Sequence, residues 1–67
     1  MALQEYTDKL KYDFAYYGFT ETPLTDKQIE RLFDSGFSID DAYGVGCDVF
    51  CGYSFDASID AVANPQD

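Results

Sequence analysis

The feature that most restricts how this chain can fold is a short pattern written three times: glycine, aromatic, hydroxyl. It occurs as Gly18-Phe19-Thr20, Gly36-Phe37-Ser38 and Gly52-Tyr53-Ser54. The last two copies run on as Gly-Phe-Ser-Ile-Asp-Asp-Ala and Gly-Tyr-Ser-Phe-Asp-Ala-Ser. Glycine takes the left-handed backbone at which helices end, and the aromatic after it packs back on the finished turn. Ser38 and Ser54 supply the opposite signal, an N-cap oxygen, with aspartate next to favour the positive end of the new helix. Two copies therefore read as a helix stop fused to a helix start. After the first copy the next start is delayed past Pro23, to Thr25 and Gln28, which have capping-box spacing.

This punctuation predicts four helices, at 3–17, 26–35, 39–51 and 55–63. In the first, Leu3, Tyr6, Leu10, Phe14 and Tyr17 recur at the spacing of one buried face. Ile29, Leu32 and Phe33 do the same in the second, and Phe55, Ile59 and Val62 in the fourth. The third segment carries two patterns. Tyr43, Val45, Cys47, Val49, Cys51 and Tyr53 alternate as a strand would, and Gly44 and Gly46 each cost a helix about 1 kcal/mol relative to alanine. Against this, Ile39, Ala42, Tyr43, Gly46, Val49 and Phe50 fall on one side of a helix, with Asp40, Asp41 and Asp48 on the other. The serine cap and the glycine stop favour helix, with the two glycines admitting a close neighbour. The expected fold is thus all-α, a bundle of about four short helices in one domain; an α+β form with a hairpin at 43–55 is the alternative.

A chain of 67 residues buries only about 60% of its unfolded surface, so its core is thin. Twelve aromatics, six Phe and six Tyr, partly compensate. Neither a signal-peptide pattern at the N-terminus nor a run of transmembrane length is present, so the cytoplasm is the expected compartment. Cys47 and Cys51 read as two half-buried thiols on one helical turn rather than a disulfide.

The residues that carry chemistry are few. There is no histidine, which removes the commonest general base and metal ligand. Two cysteines fall short of a zinc site, and neither has an activating neighbour in sequence. Gly44-Val45-Gly46 lacks the rest of a dinucleotide loop, and 34–45 lacks the ligands of a calcium loop. No enzyme activity, cofactor or metal is expected.

What stands out is charge. Thirteen acids face four bases, for a net charge of −9. Residues 1–31 hold all four bases and six of the acids, whereas residues 32–67 hold seven aspartates and no base. Such a half repels nucleic acid and anionic membranes and attracts basic surfaces. On the second helix Asp26, Glu30 and Asp34 form a row, which Lys27 and Arg31 relieve through i, i+3 pairs. Asp40, Asp41 and Asp48 on the third helix, and Asp56 and Asp60 on the fourth, have no base nearby in sequence. Asp26, Asp40 and Asp56 are accounted for as helix-start acids, leaving Asp34, Asp41, Asp48 and Asp60 outside that explanation. A second candidate surface is Tyr12 and Tyr16, one turn apart and turned away from the core face, as interface tyrosines are.

In size, helical character, missing chemistry and one-signed charge, the chain resembles the small acidic proteins with which phages and mobile elements block host defences. The closest class is the DNA-mimic anti-CRISPR proteins that act on type I surveillance complexes. The resemblance rests on the row Asp34, Asp40, Asp41, Asp48, Asp56 and Asp60, not on a shared motif. It implies a monomer in the host bacterial cytoplasm. Its carboxylates would occupy the lysine- and arginine-lined channel of a basic DNA-binding protein or Cas complex subunit, near the PAM-reading position. The competing expectation is a small helical adaptor that docks a protein through Tyr12 and Tyr16.

Overall fold

The computed structural model describes residues 1–64, and every helix in it ends or begins on one of the signals above. Helix α1 spans Leu3–Tyr16, α2 Asp26–Asp34, α3 Ile39–Phe50 and α4 Phe55–Ala63. The third segment is helical, so the hairpin alternative at 43–55 does not form. No helix is long and apolar enough to cross a membrane among the described residues.

Gly18, Gly36 and Gly52 have φ of 97°, 83° and 107°, the left-handed region that favours glycine. At each, two backbone bonds close the helix end in the same way. Gly18 N–H donates to Ala15 O and Phe19 N–H to Phe14 O; Gly36 and Phe37 donate to Phe33 and Leu32; Gly52 and Tyr53 donate to Val49 and Asp48. Two carbonyls of each last turn are thereby satisfied. On the opening side, the Thr25, Ser38 and Ser54 hydroxyls accept from the N–H of Gln28, Asp41 and Ala57 at 3.1, 3.1 and 3.2 Å. Gln28 returns the favour to Thr25 N–H at 2.9 Å, completing the capping box.

Around these corners the core forms from Tyr6, Leu10, Phe14, Leu24, Ile29, Leu32, Ala42 and Val45. Helix α1 packs against both α2 and α3, and α3 against α4. Gly46 is the point of closest approach. A Cβ there would overlap the Phe14 ring, with Cε1 at 2.7 Å, so the glycine admits the aromatic to the α3 backbone. Gly44 makes no such demand, since a Cβ would sit 3.8 Å from Val62 Cγ2 in ordinary contact.

Several side chains lie elsewhere than the helical periodicity predicts. Tyr17 is the C-cap residue of α1 and 65% exposed, because Phe19 folds back through the glycine turn and packs edge-on against Phe14 at 5.2 Å. Phe50 is also exposed, whereas Val45 is fully buried: the inward face of α3 is turned toward Ala42 and Val45. Cys47 is half-buried as expected, but Cys51 is exposed, and the two are not disulfide-bonded. Leu24, outside the periodic stripes, is a core residue. It precedes the Thr25 cap and Ile29 lies at the fourth helical position, the pairing of a hydrophobic staple. Ser58 is buried in α4, where its hydroxyl donates to Ser54 O at 2.9 Å.

Candidate interaction surface

Each helix carries an aspartate in its last turn: Asp13 on α1, Asp34 on α2, Asp48 on α3 and Asp60 on α4. That end of a helix is the negative end of its dipole, where an acid costs about 0.3–1 kcal/mol when exposed at low ionic strength. Among the described residues only Asp13 is compensated by an ion pair, from Lys9 at 3.0 Å within α1. Neither α3 nor α4 has a base in its last turn. The base in that of α2, Arg31, pairs with Asp56 at 3.1 Å instead of Asp34. Asp60 accepts one neutral hydrogen bond, from Asn64 Nδ2 at 3.2 Å.

First-turn acids have the opposite status. Asp26, Asp40, Asp41 and Asp56 lie at helix starts, where negative charge is favoured. Asp41 therefore moves to the capping group, because it is the third residue after the Ser38 cap and its own N–H binds the serine oxygen. Asp56 is not unpaired, since the fold brings the start of α4 within reach of Arg31, whose guanidinium also lies 5.5 Å from the Phe55 ring centre. Lys11 reaches Asp26 at 3.0 Å. The expected i, i+3 pairs Lys27–Glu30 and Arg31–Asp34 are not formed among the described residues. Of the six acids singled out in the sequence, Asp34, Asp40, Asp41 and Asp60 are exposed without an ion pair among the described residues, and Asp48 is half-buried without one.

These carboxylates are spread over the surface, not gathered. No three His, Cys, Asp or Glu side chains converge as metal ligands would among the described residues. On α3, Asp41 and Asp48 lie seven residues apart, on nearly the same line along the helix and about 10.5 Å apart along its axis.

Tyr12 and Tyr16 are exposed as expected, with rings stacked 6.3 Å apart at 20° and the Lys9 ammonium 5.5 Å from the Tyr12 ring centre. The aromatic surface is wider than that pair. Tyr16 meets Tyr17 edge-on at 5.1 Å, Tyr17 meets Tyr43 at 5.2 Å, and Phe50 meets Phe19 edge-on at 5.0 Å. Tyr17 and Phe50 were assigned to buried faces by periodicity alone, which does not tell where a neighbouring helix stops. Burial raises the Tyr43 hydroxyl pKa, and the neighbouring Cys47 thiol acts in the same direction.

Tyr6 carries the one buried side-chain polar atom without a protein hydrogen-bond partner among the described residues, its hydroxyl. Its pKa is raised by desolvation first and by the Asp41 charge second.

Compared with models of known protein families, with curated proteins and with solved structures, the chain matches none. Its surface chemistry alone carries the functional reading.

Proposed function

We propose that this protein acts by binding rather than by catalysis, as an acidic inhibitor that occupies the nucleic-acid-binding surface of a basic protein. The observation that supports this most is the placement of Asp34, Asp48 and Asp60 at helix ends where they oppose the dipole and lack a cationic partner among the described residues. Acids that serve the fold sit at helix starts or in ion pairs, and these do neither. Residues kept against local stability are where function is to be sought. Carboxylates set on successive short helices present separate negative charges to a partner, as phosphates along a duplex do. The target that fits is a DNA-binding subunit of a host defence assembly, such as a type I surveillance complex, with the acids standing where target DNA would lie.

The test is capture of bacterial lysate proteins on immobilised protein at low salt, followed by a salt ramp and by duplex DNA as competitor. The captured species should be DNA-binding proteins, should elute steeply with salt and should be displaced by DNA. The triple change Asp34→Asn, Asp48→Asn and Asp60→Asn should abolish capture while leaving the helical content unchanged. The reading fails if the triple variant captures as well as the parent while Tyr12→Ala with Tyr16→Ala does not. That outcome would favour an adaptor docking through the stacked tyrosines.

A further inference from the structure

Where the α1–α2 loop passes the end of α3, the surface opens into a groove of about 390 Å³. Its walls are Tyr17, Phe19, Pro23 and Phe50, with Glu21 at the rim. The size lies within the roughly 300–1,000 Å³ range of sites that take small ligands. Tyr17 and Phe50 are 65% and 69% exposed, although large aromatics are costly to leave in water. Each has an aromatic neighbour: Phe50 leans edge-on against Phe19, and Tyr17 lies tilted against Tyr43. The groove is thus built of aromatic faces beside a carboxylate.

No lysine or arginine of this chain lines the groove. Lys9, Lys11 and Arg31 are all engaged in ion pairs elsewhere. The chain as a whole carries a net charge of −9. An occupant must therefore suit aromatic faces, a carboxylate and a negative field together. We propose that the groove takes an arginine side chain of a protein partner, the guanidinium stacking on Tyr17 or Phe50 and pairing with Glu21. Arginine fits better than lysine because its planar, weakly hydrated cation stacks on rings and meets a carboxylate through two parallel N–H groups. An apolar side chain would use the rings but gain nothing from Glu21 or the field. The inference rests on the partner being basic, and adds an anchoring point with shape to a reading otherwise made of dispersed charge.

The experiment is an amide-resonance titration of the full chain, at low salt, with three capped pentapeptides of alternating glycine and arginine, lysine or leucine. The arginine peptide should shift the amides of Gly18, Phe19, Glu21 and Phe50, with half-saturation at a concentration at least about tenfold below that of the lysine or leucine peptide. Phe50→Ser should remove those shifts and Glu21→Gln should weaken them, while shifts at Asp34, Asp48 and Asp60 persist in both variants. Equal groove shifts from lysine would reduce the groove to general attraction, and equal shifts from leucine would make it an apolar site; either overturns the proposal. So would arginine shifts confined to the aspartates, a result that leaves the basic-partner reading standing. Failure of that reading shows separately, in the lysate capture.

Discussion

The two halves of the molecule divide the work of folding differently. Helices α1 and α2 and their loop supply Tyr6, Leu10, Phe14, Leu24, Ile29 and Leu32, every large side chain of the buried core except Val45. Helices α3 and α4 bury small groups instead: Ala42, Gly46 and Ser58. Charge follows the same division. The first half contains all the bases and uses Lys9, Lys11 and Arg31 in ion pairs, one of which reaches across to Asp56. The second half contributes no base, and its last-turn acids stay unpaired among the described residues. One half supplies most of the core; the other is packed against it and carries Asp48 and Asp60 without an ion pair among the described residues.

The largest effect that would break this comparison is at Phe14. Its ring is 1% exposed and contacts Phe19, Tyr43 and the Gly46 backbone. Phe14→Ala should cost about 3–5 kcal/mol, enough to unfold most of so small a domain. Phe50→Ala, removing the same ring from a 69% exposed site, should move stability by no more than about 0.5 kcal/mol. Urea unfolding followed by circular dichroism measures both. Comparable losses would mean that α3 contributes to the core as much as α1.

The glycines of α3 give the next test, and a pair of opposite signs. Gly46→Ala gains helix propensity of about 1 kcal/mol but drives a methyl into the Phe14 ring, an overpacking of about 1–3 kcal/mol, so a net loss is expected. Gly44→Ala gains the same propensity and meets only Val62 at contact distance, so it should stabilise by up to about 1 kcal/mol. Thermal unfolding distinguishes them. A gain at both positions would mean that Phe14 does not need the α3 backbone.

The three corners show how much was legible in the sequence and where reading stopped. All three stops and all three caps were legible, because each depends on residues adjacent in the chain. So was the reason the third corner differs, once residue order is read at the right distance. Phe19 and Phe37 each follow an apolar residue by five positions, Phe14 and Leu32, to whose carbonyls they bond. Tyr53 follows Asp48 in the same relation, and the residue at the staple position after it is Ser58. With polar residues on both sides Tyr53 stays 63% exposed. Leu24 was legible by the same staple logic although no helical stripe includes it. The Arg31–Asp56 pair was not: its members are 25 residues apart, and only the folded chain brings the two side chains together. Tyr17 and Phe50 were misplaced for a related reason, since periodicity gives a direction and not the length of the neighbour. Of the acids, helix position separates Asp41 from Asp34, Asp48 and Asp60, and counting from the caps suffices for that.

Repairing the third corner should therefore be possible by sequence alone. Asp48→Leu removes an acid from the negative end of α3 and gives Tyr53 the apolar partner that the other two aromatics have. We expect a gain of about 1 kcal/mol, with Tyr53 amide exchange slowed to the level of Phe37. On the proposed function the same change weakens capture of a basic partner, so stability and binding should move in opposite directions. If both rise together, Asp48 is not part of the binding surface.

The smallest effect concerns pH and again sets the core-building half apart. Tyr6 has its pKa raised above the ordinary value of 10.0, mainly by burial and then by Asp41. The folded state thus holds this proton when the unfolded chain has begun to release it. The stability linked to Tyr6 is fully present below the unfolded pKa and is lost as pH rises through the folded one. Lys9, raised by its bond to Asp13, and Tyr43, raised by burial, act in the same direction. Stability should accordingly fall above about pH 10. Tyr6→Phe should flatten part of that fall. At neutral pH it should cost little or raise stability slightly, because the hydroxyl has no protein hydrogen bond to lose. Unfolding midpoints in urea at pH 7 and between pH 9 and 11 measure both. A Tyr6→Phe variant with the parent's alkaline slope would place the linkage at Tyr43 and Lys9 instead. Since Tyr6 is held against α2 through the Phe33 ring at 5.1 Å, the sensitivity would then lie away from that contact, at the Phe14–Tyr43 stack between α1 and α3 and at the Lys9–Asp13 pair within α1.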